Sequence, residues 1–115
     1  NLRIGNGASH APQQFKFFHG TTWANAVRIK SNGFLPSEDG CLGRGVYCAR
    51  EDKAMRFSRT RADHTGGGLV ELLVTVRNPK YVLSNDTTWE WEGYDACRAE
   101  RTSASTNMEW CIADP

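Results

Sequence analysis

This sequence lacks a long apolar segment, and it lacks an excess of either charge. No apolar run approaches the roughly 18 residues that a membrane-spanning helix needs. The 115 residues carry a formal net charge of +1, so no strong field attracts acidic lipid or nucleic acid. We therefore expect no membrane association. Nucleic acid stays open as a partner, but the net charge does not support it.

Closely spaced metal ligands are also missing. The four cysteines contain no Cys-x-x-Cys pair, and the three histidines are scattered. Structural zinc sites use paired ligands at short spacing, so the sequence predicts no metal site. Cys48 and Cys111 lie in apolar, strand-like runs, where we expect buried free thiols. Free thiols favour a reducing compartment, and we expect a cytoplasmic or nuclear location, with secretion as the open alternative.

The patterns that are present predict one α+β domain. Residues 1–14 are predicted to form a loose arm, and residues 15–115 a domain of ordinary size. Phe15 to Phe18 predicts a buried strand that ends where His19 begins. A helix from Trp23 to Asn32 follows, with a threonine as its N-cap and Gly33 as its end.

The second half of the chain has a mainly β pattern after one more helix. Glu51 to Arg61 predicts that helix, with Ala54 and Phe57 turned inward, and "DHTGGG" after it predicts a flexible turn. The apolar run "LVELLVTV", Leu69 to Val76, predicts a central strand covered on both faces. Further strands are expected at Val46–Ala49, Tyr81–Leu83, Tyr94–Cys97 and Glu109–Ala113, and loops at 84–92 and 98–107.

The glycines of "GCLGRG", residues 40–45, do not form a dinucleotide-binding fingerprint. They precede a strand, whereas the G-x-G-x-x-G pattern follows a strand and opens a helix. Glycines here permit either a tight turn or a close approach of backbone to a flat or phosphorylated group. Their spacing alone favours the turn.

Three side chains stand out as a set that could carry chemistry. His19 follows the first strand, Tyr47 lies in the second, and Glu109 begins the last. Taken singly, each has a plainer explanation as a core histidine, a core aromatic residue and a solvated carboxylate. The residues alone favour those explanations.

The order of these residues within their motifs changes that balance. The segments "FHGTTWANAVRIKSNGF", "LGRGVYCAREDKAMRF" and "MEWCIADP" together resemble the H-Y-E class of ADP-ribosyltransferases, the class of the poly(ADP-ribose) polymerase catalytic domain. Within it they are most similar to the small Gig-type proteins related to those polymerases. The resemblance covers residues 15–115. It implies the PARP-like ADP-ribosyltransferase fold, a split antiparallel β-sheet core with two short helices, and NAD⁺ as the substrate.

The resemblance also implies a role for each matching residue. Glu109 would stabilise the cation that forms when nicotinamide leaves its ribose, and His19 would orient a ribose hydroxyl. The backbone of Gly20 would hold the carboxamide, and Tyr47 and Phe57 would stack on the nicotinamide from two sides. The implied catalytic residues are Glu109, His19 and Tyr47, and the implied NAD⁺-binding residues are His19, Gly20, Thr21, Tyr47 and Phe57.

One departure from the family pattern concerns the carboxamide. The family commonly has a serine in the second helix, where its hydroxyl helps to hold this group, and the matching residue here is Ala54. The loss of one hydrogen bond to a buried amide would weaken NAD⁺ binding by about 1 kcal/mol. The loops that would hold an acceptor are short, so we expect transfer of single ADP-ribose units, to a protein side chain or to water.

Two other functions stay open at this point. One is a catalytically inactive module of the same fold that binds NAD⁺, ADP-ribose or a protein partner. The other is an RNA 2′-phosphotransferase, whose related fold also uses NAD⁺. That activity would require arginines in the pocket and a more basic surface, and the near-neutral charge argues against it.

Overall fold

The structure is a computed structural model that describes residues 11–38, 40–100 and 108–113. Within these residues, two helices and six strands form an α+β fold, which confirms the predicted class. None of the helices in these residues has the length and apolarity needed to cross a membrane. In chain order the elements are β1 (Gln13–Thr22), α1 (Trp23–Asn32), β2 (Val46–Cys48), α2 (Glu51–Thr60), β3 (Gly67–Val76), β4 (Pro79–Val82), β5 (Ala96–Glu100) and β6 (Met108–Ile112).

The described strands form two sheets that are joined at one place. The first sheet is the antiparallel pair β1–β3, and the second has the order β2-β6-β5-β4. Strands β4 and β5 run parallel, so the strands are mixed and not all antiparallel as expected. An isolated bridge between Phe18 and Ala49 joins the sheets, with backbone N–H···O distances of 2.8 and 2.9 Å in the two directions.

The four-stranded sheet is covered on both faces. One face packs on the β1–β3 sheet, where Phe17 and Val74 meet Trp110, and the ring centroids of Phe17 and Trp110 are 5.0 Å apart. The other face is covered by Leu42 and Trp89, both fully buried. The core therefore lies on either side of β6 and β5, and it fixes the strand that carries Glu109.

Helix α1 forms where the sequence predicts it. The side chain of Thr22 accepts a hydrogen bond from the Asn25 amide at 3.1 Å, which satisfies a free amide of the first turn. Gly33 ends the helix with a positive φ of 84°, a conformation that glycine adopts without strain. The helix buries Ala26 and Ile29.

Two predictions about strands are wrong. Strand β1 does not end at Phe18 but continues to Thr22, so His19 lies within the strand. Strand β3 is not covered on both faces along its whole length, because Leu73 is 70% exposed and the burial alternates along the strand. Within the described residues β3 pairs with β1 alone. A continuous apolar run therefore did not identify a central strand here.

The predicted flexible turn at "DHTGGG" is also wrong in part. Gly67 and Gly68 belong to β3, and their backbones let both helices approach the strand closely. A Cβ on Gly67 would lie 2.3 Å from the Ser58 carbonyl oxygen of α2, and one on Gly68 would lie 2.6 Å from the Ala26 Cβ of α1. Since successive residues face opposite sides of a strand, the helices pack on opposite faces of the β1–β3 sheet.

The remaining boundaries differ from the predicted ones by a few residues. Strand β2 ends at Cys48, and β4 and β5 are shifted from their predicted positions. Arg98 to Glu100 lie in β5 and not in a loop, and the rest of that predicted loop lies outside the described residues. Gln13 and Gln14 of the predicted arm belong to β1, and residues 1–10 lie outside the described part.

We predict that Gly67→Ala destabilises the domain. The new methyl group would collide with the backbone of α2, and overpacking of this kind costs about 1–3 kcal/mol. Urea denaturation of the variant would measure the loss in the free energy of unfolding. Thr75→Ala, at an exposed position of the same strand, is the control and should change stability much less. Equal stabilities for Gly67→Ala and the control would contradict the close packing.

Candidate active site

Two adjoining cavities lie where β1, β2, β6 and α2 meet. The smaller has a volume of about 70 Å³, and the larger about 380 Å³. The residues that line both are His19, Tyr47, Arg61 and Glu109. The structure therefore brings together the three side chains that the sequence analysis selected as candidates, although they lie far from one another along the chain.

The imidazole of His19 is held in a defined orientation. Its Nδ1 lies 2.7 Å from the backbone oxygen of Tyr47, and because a carbonyl only accepts, Nδ1 carries the proton. The other nitrogen, Nε2, has no hydrogen-bond partner among the described residues. It can accept a hydrogen bond from a ligand. The ring also makes a T-shaped contact with the ring of Phe34, with centroids 5.6 Å apart.

Burial keeps this imidazole neutral. Desolvation lowers the pKa of His19 below its ordinary value, and the nearby charge of Arg61 lowers it further, against the opposing effect of the Tyr47 carbonyl. A lowered pKa leaves the neutral form dominant at pH 7. His19 can thus act as a hydrogen-bond acceptor at neutral pH.

The phenol of Tyr47 holds the glycine-rich loop against the site. Its hydroxyl accepts from the Leu42 amide at 3.0 Å and donates to the Gly43 carbonyl at 2.5 Å. A Cβ on Gly40 would lie 2.4 Å from this hydroxyl, so this glycine allows the loop to close on the ring. Burial raises the pKa of Tyr47 well above its ordinary value, and the phenol stays protonated as a donor.

The glycines of "GCLGRG" therefore serve the protein's own packing. Gly43 has a φ of 77° and makes the turn, as the spacing favours. Gly45 lies so close to β6 that a Cβ would be 2.5 Å from the Cys111 sulfur. Of the two uses left open by the sequence, a turn and close packing on protein atoms account for these residues.

Gly20 is the point where α2 touches β1. A Cβ here would lie 2.0 Å from the Ala54 carbonyl oxygen and 2.6 Å from the Ser58 nitrogen. The Phe18 amide and carbonyl point to Ala49, and by the alternation of strand hydrogen bonding those of Gly20 point the same way, towards the cavity. The absence of a side chain thus places α2, with Phe57, beside the cavity.

Glu109 reaches the site from β6. Tyr47 pairs with Cys111 across the β2–β6 ladder, and Glu109, two residues earlier in β6, shares the face of Cys111. This register directs the carboxylate of Glu109 to the side of the sheet that carries the phenol of Tyr47. The packed strand, and not a loop, determines its position.

Thr21 does not join the other predicted residues. It is buried, and its hydroxyl accepts a hydrogen bond from the Asn25 side chain at 2.9 Å. It lines neither of the two cavities. The structure gives Thr21 a contact at the start of α1, and its contact with NAD⁺ stays a prediction.

The thiols near the site divide into buried and exposed ones. Cys48 and Cys111 are free and buried, as predicted, and burial raises the pKa of Cys111 to about 12. Cys41 is free and exposed, and it lines the larger cavity. Among the described residues no group of three His, Cys, Asp or Glu side chains could hold a metal ion.

Arg61 is the site residue that the sequence interpretation missed. Arg61 is exposed to solvent, and it also lines both cavities. Its Nη1 donates to the Gly20 carbonyl at 3.0 Å, and its guanidinium lies 4.5 Å from the ring centroid of Phe57. The spacing of four residues from Phe57 on a helix was a signal that could have found it.

Comparison with known proteins adds no assignment. No model of a known protein family matches the chain, and a search of curated proteins finds no match.

We predict that His19 makes folding stability depend on pH. Its folded-state pKa lies below the ordinary value of 6.5, so the unfolded chain takes up a proton first as the pH falls. Stability is therefore full above about pH 6.5 and decreases as the pH drops from there towards the folded-state pKa. His19→Asn keeps an N–H near the Tyr47 carbonyl but does not titrate, and its melting temperature should vary less between pH 5 and 8.

The control for this experiment is His64→Asn, at an exposed position between α2 and β3. It should keep the pH dependence of the parent protein. If His19→Asn and the parent protein show the same pH dependence, burial of a neutral imidazole at this position is refuted.

Proposed function

We propose that this protein is an NAD⁺-dependent mono-ADP-ribosyltransferase with the PARP-like fold. The observation that carries the proposal is the convergence of His19, Tyr47 and Glu109 on both cavities. Imidazole, aromatic and carboxylate groups are those that cleavage of a nicotinamide–ribose bond needs. The resemblance of the motifs to the H-Y-E class supports the same reaction.

The residues fit a dinucleotide in part. The larger cavity, at about 380 Å³, lies within the range of roughly 300–1,000 Å³ of ligand pockets, and Arg28 among its lining residues could meet a phosphate group. The smaller cavity, between β1 and α2, is where nicotinamide would lie against Phe57. At about 70 Å³ this cavity is much smaller than the larger one.

In the proposed reaction the bond between the ribose C1′ and the nicotinamide nitrogen breaks, and its electron pair leaves with neutral nicotinamide. The ribose becomes cation-like in the transition state, as in glycoside hydrolysis. The carboxylate of Glu109 stabilises that charge, an effect often worth a few kcal/mol in the barrier. An acceptor hydroxyl or carboxylate then bonds to C1′, and any proton on it is released to Glu109 or to solvent.

His19 and Tyr47 would position the substrate in this reaction. With Nδ1 bound to the Tyr47 carbonyl, Nε2 would accept a hydrogen bond from a ribose hydroxyl, which restricts the orientation of C1′. The hydroxyl of Tyr47 is engaged with the glycine-rich loop, so Tyr47 would contact nicotinamide through its ring face. Such contacts contribute on the order of 1 kcal/mol each.

A second candidate is a binding module of the same fold without turnover. Ala54 is buried beside the smaller cavity and offers no hydroxyl to a carboxamide. The small volume of this cavity also favours a protein that binds the nucleotide part alone. Calorimetry with NAD⁺ together with an assay for free nicotinamide separates the two functions, since binding without release would favour the module.

We predict that Glu109→Gln lowers the rate of nicotinamide release from NAD⁺ by about 100-fold or more. The amide is nearly isosteric with the carboxylate but lacks the charge that stabilises the transition state. Release of nicotinamide, followed by chromatography, is the measurement. Glu71→Gln, at an exposed position on β3, should leave the rate unchanged. A Glu109→Gln protein that retains full turnover would remove this carboxylate from the mechanism.

We also predict that Ala54→Ser strengthens NAD⁺ binding. The hydroxyl would donate to the carboxamide oxygen, and one hydrogen bond of about 1 kcal/mol corresponds to about a fivefold lower Kd. Titration calorimetry measures the change. Ala24→Ser, at an exposed position of α1, is the matched control. If Ala54→Ser left the Kd of NAD⁺ unchanged or raised it, the carboxamide would not bind beside α2.

A further inference from the structure

The guanidinium of Arg61 has the same kinds of contact that a nicotinamide carboxamide would make. It lies 4.5 Å from the ring centroid of Phe57, and its Nη1 donates to the Gly20 carbonyl at 3.0 Å. A carboxamide is likewise planar and likewise donates through N–H groups. Both groups therefore need the same aromatic ring and the same backbone acceptor.

Arg61 is positioned for this by the helix that carries Phe57. It is the C-cap residue of α2 and follows Phe57 by four residues, so the two side chains share one face of the helix. Gly20 lies against the same helix because it has no Cβ. The contact of Arg61 with the Gly20 carbonyl therefore follows from the packing of α2 on β1.

The volumes of the cavities agree with this arrangement. Arg61 lines both cavities, and the one beside Phe57 is far below the size of an ordinary ligand pocket. A flat ring would not fit there while the guanidinium keeps its place. Removal of the guanidinium would enlarge this cavity and free the Gly20 carbonyl.

We propose that Arg61 occupies the nicotinamide subsite from within, as an internal competitor that any planar amide ligand must displace. The inference rests on the proposed function, because it takes the space beside Phe57 as the nicotinamide subsite. Each ligand must break the Arg61 contact before it binds, so the apparent Kd equals the intrinsic Kd divided by the fraction of molecules in which the subsite is open. The side chain of Arg61 is a gate and not a catalytic group.

The test is calorimetry with nicotinamide and with NAD⁺ on the parent protein, Arg61→Ala and Arg59→Ala. Arg59 is an exposed arginine in the last turn of the same helix, and it lines neither cavity. We expect Arg61→Ala to bind nicotinamide at least tenfold more tightly than the parent, and Arg59→Ala to bind it equally. Arg61→Lys keeps the charge without the planar fork and should also bind more tightly.

Each other result has a distinct meaning. If the parent protein binds nicotinamide and Arg61→Ala binds it equally or less well, Arg61 is no competitor and the inference fails while the proposed function stands. If Arg61→Ala loses affinity for NAD⁺ alone, Arg61 holds a phosphate and the inference fails. If no variant binds either ligand, both proposals fail.

Arg61→Ala could bind nicotinamide more tightly while no Glu109-dependent turnover of NAD⁺ is found. That result would support the inference and refute the proposed enzymatic activity. A readout that needs no ligand checks the position of Arg61. Its charge is one cause of the lowered pKa of His19, so titration of the His19 ring by NMR should show a higher pKa in Arg61→Ala and no change in Arg59→Ala. An unchanged His19 pKa in Arg61→Ala would overturn the inference.

Discussion

Two backbone hydrogen bonds between Phe18 and Ala49 hold the site together. They join the two-stranded and the four-stranded sheet at one place, and the next residue in β1 is His19. The bond from His19 Nδ1 to the Tyr47 carbonyl lies beside them. Because these bonds fix β1 against β2, the imidazole and the phenol keep their relative position, and α2 starts directly after Ala49. A shift of β1 by one residue would turn His19 to the opposite face of its strand.

Three glycines of the β1–β3 sheet determine where the helices pack. Gly20 and Gly67 bring α2 onto one face of the β1–β3 sheet, and Gly68 brings α1 onto the other. These contacts place Phe57 and Arg61 at the cavity. The chemistry proposed for the site therefore depends on residues with no side chain, whose substitution would act on the site by moving a helix and not by removing a functional group.

Local signals predicted the local structure well. The Thr22 cap and Gly33 defined α1, because capping depends on neighbours in sequence. The apolar run of β3 gave a wrong prediction of a central strand, since Leu73 is exposed. The number of strands that pair with a given strand depends on the tertiary fold, and the composition of the strand does not determine it. Gly67 and Gly68 were assigned to a turn because glycine marks turns and close contacts alike. These ambiguities led to a wrong environment for β3 and to a turn predicted where a strand begins, but not to a wrong fold class.

The site was predicted unevenly for similar reasons. His19, Tyr47 and Glu109 were selected through the resemblance of their motifs, and their residue types alone favoured structural roles. Arg61 was missed because a charged residue near a helix end ordinarily faces solvent. Thr21 was included among the ligand-binding residues through the resemblance, and its hydroxyl is bound to Asn25 at the start of α1.

The exposed thiol of Cys41 has a practical consequence. Cys48, Cys97 and Cys111 are buried, and buried thiols react slowly with alkylating reagents. Among the cysteines of the described residues Cys41 alone is exposed, and it lies at the wall of the larger cavity. A maleimide dye would thus attach at one position without any engineered cysteine, and its fluorescence would report whether that cavity is filled.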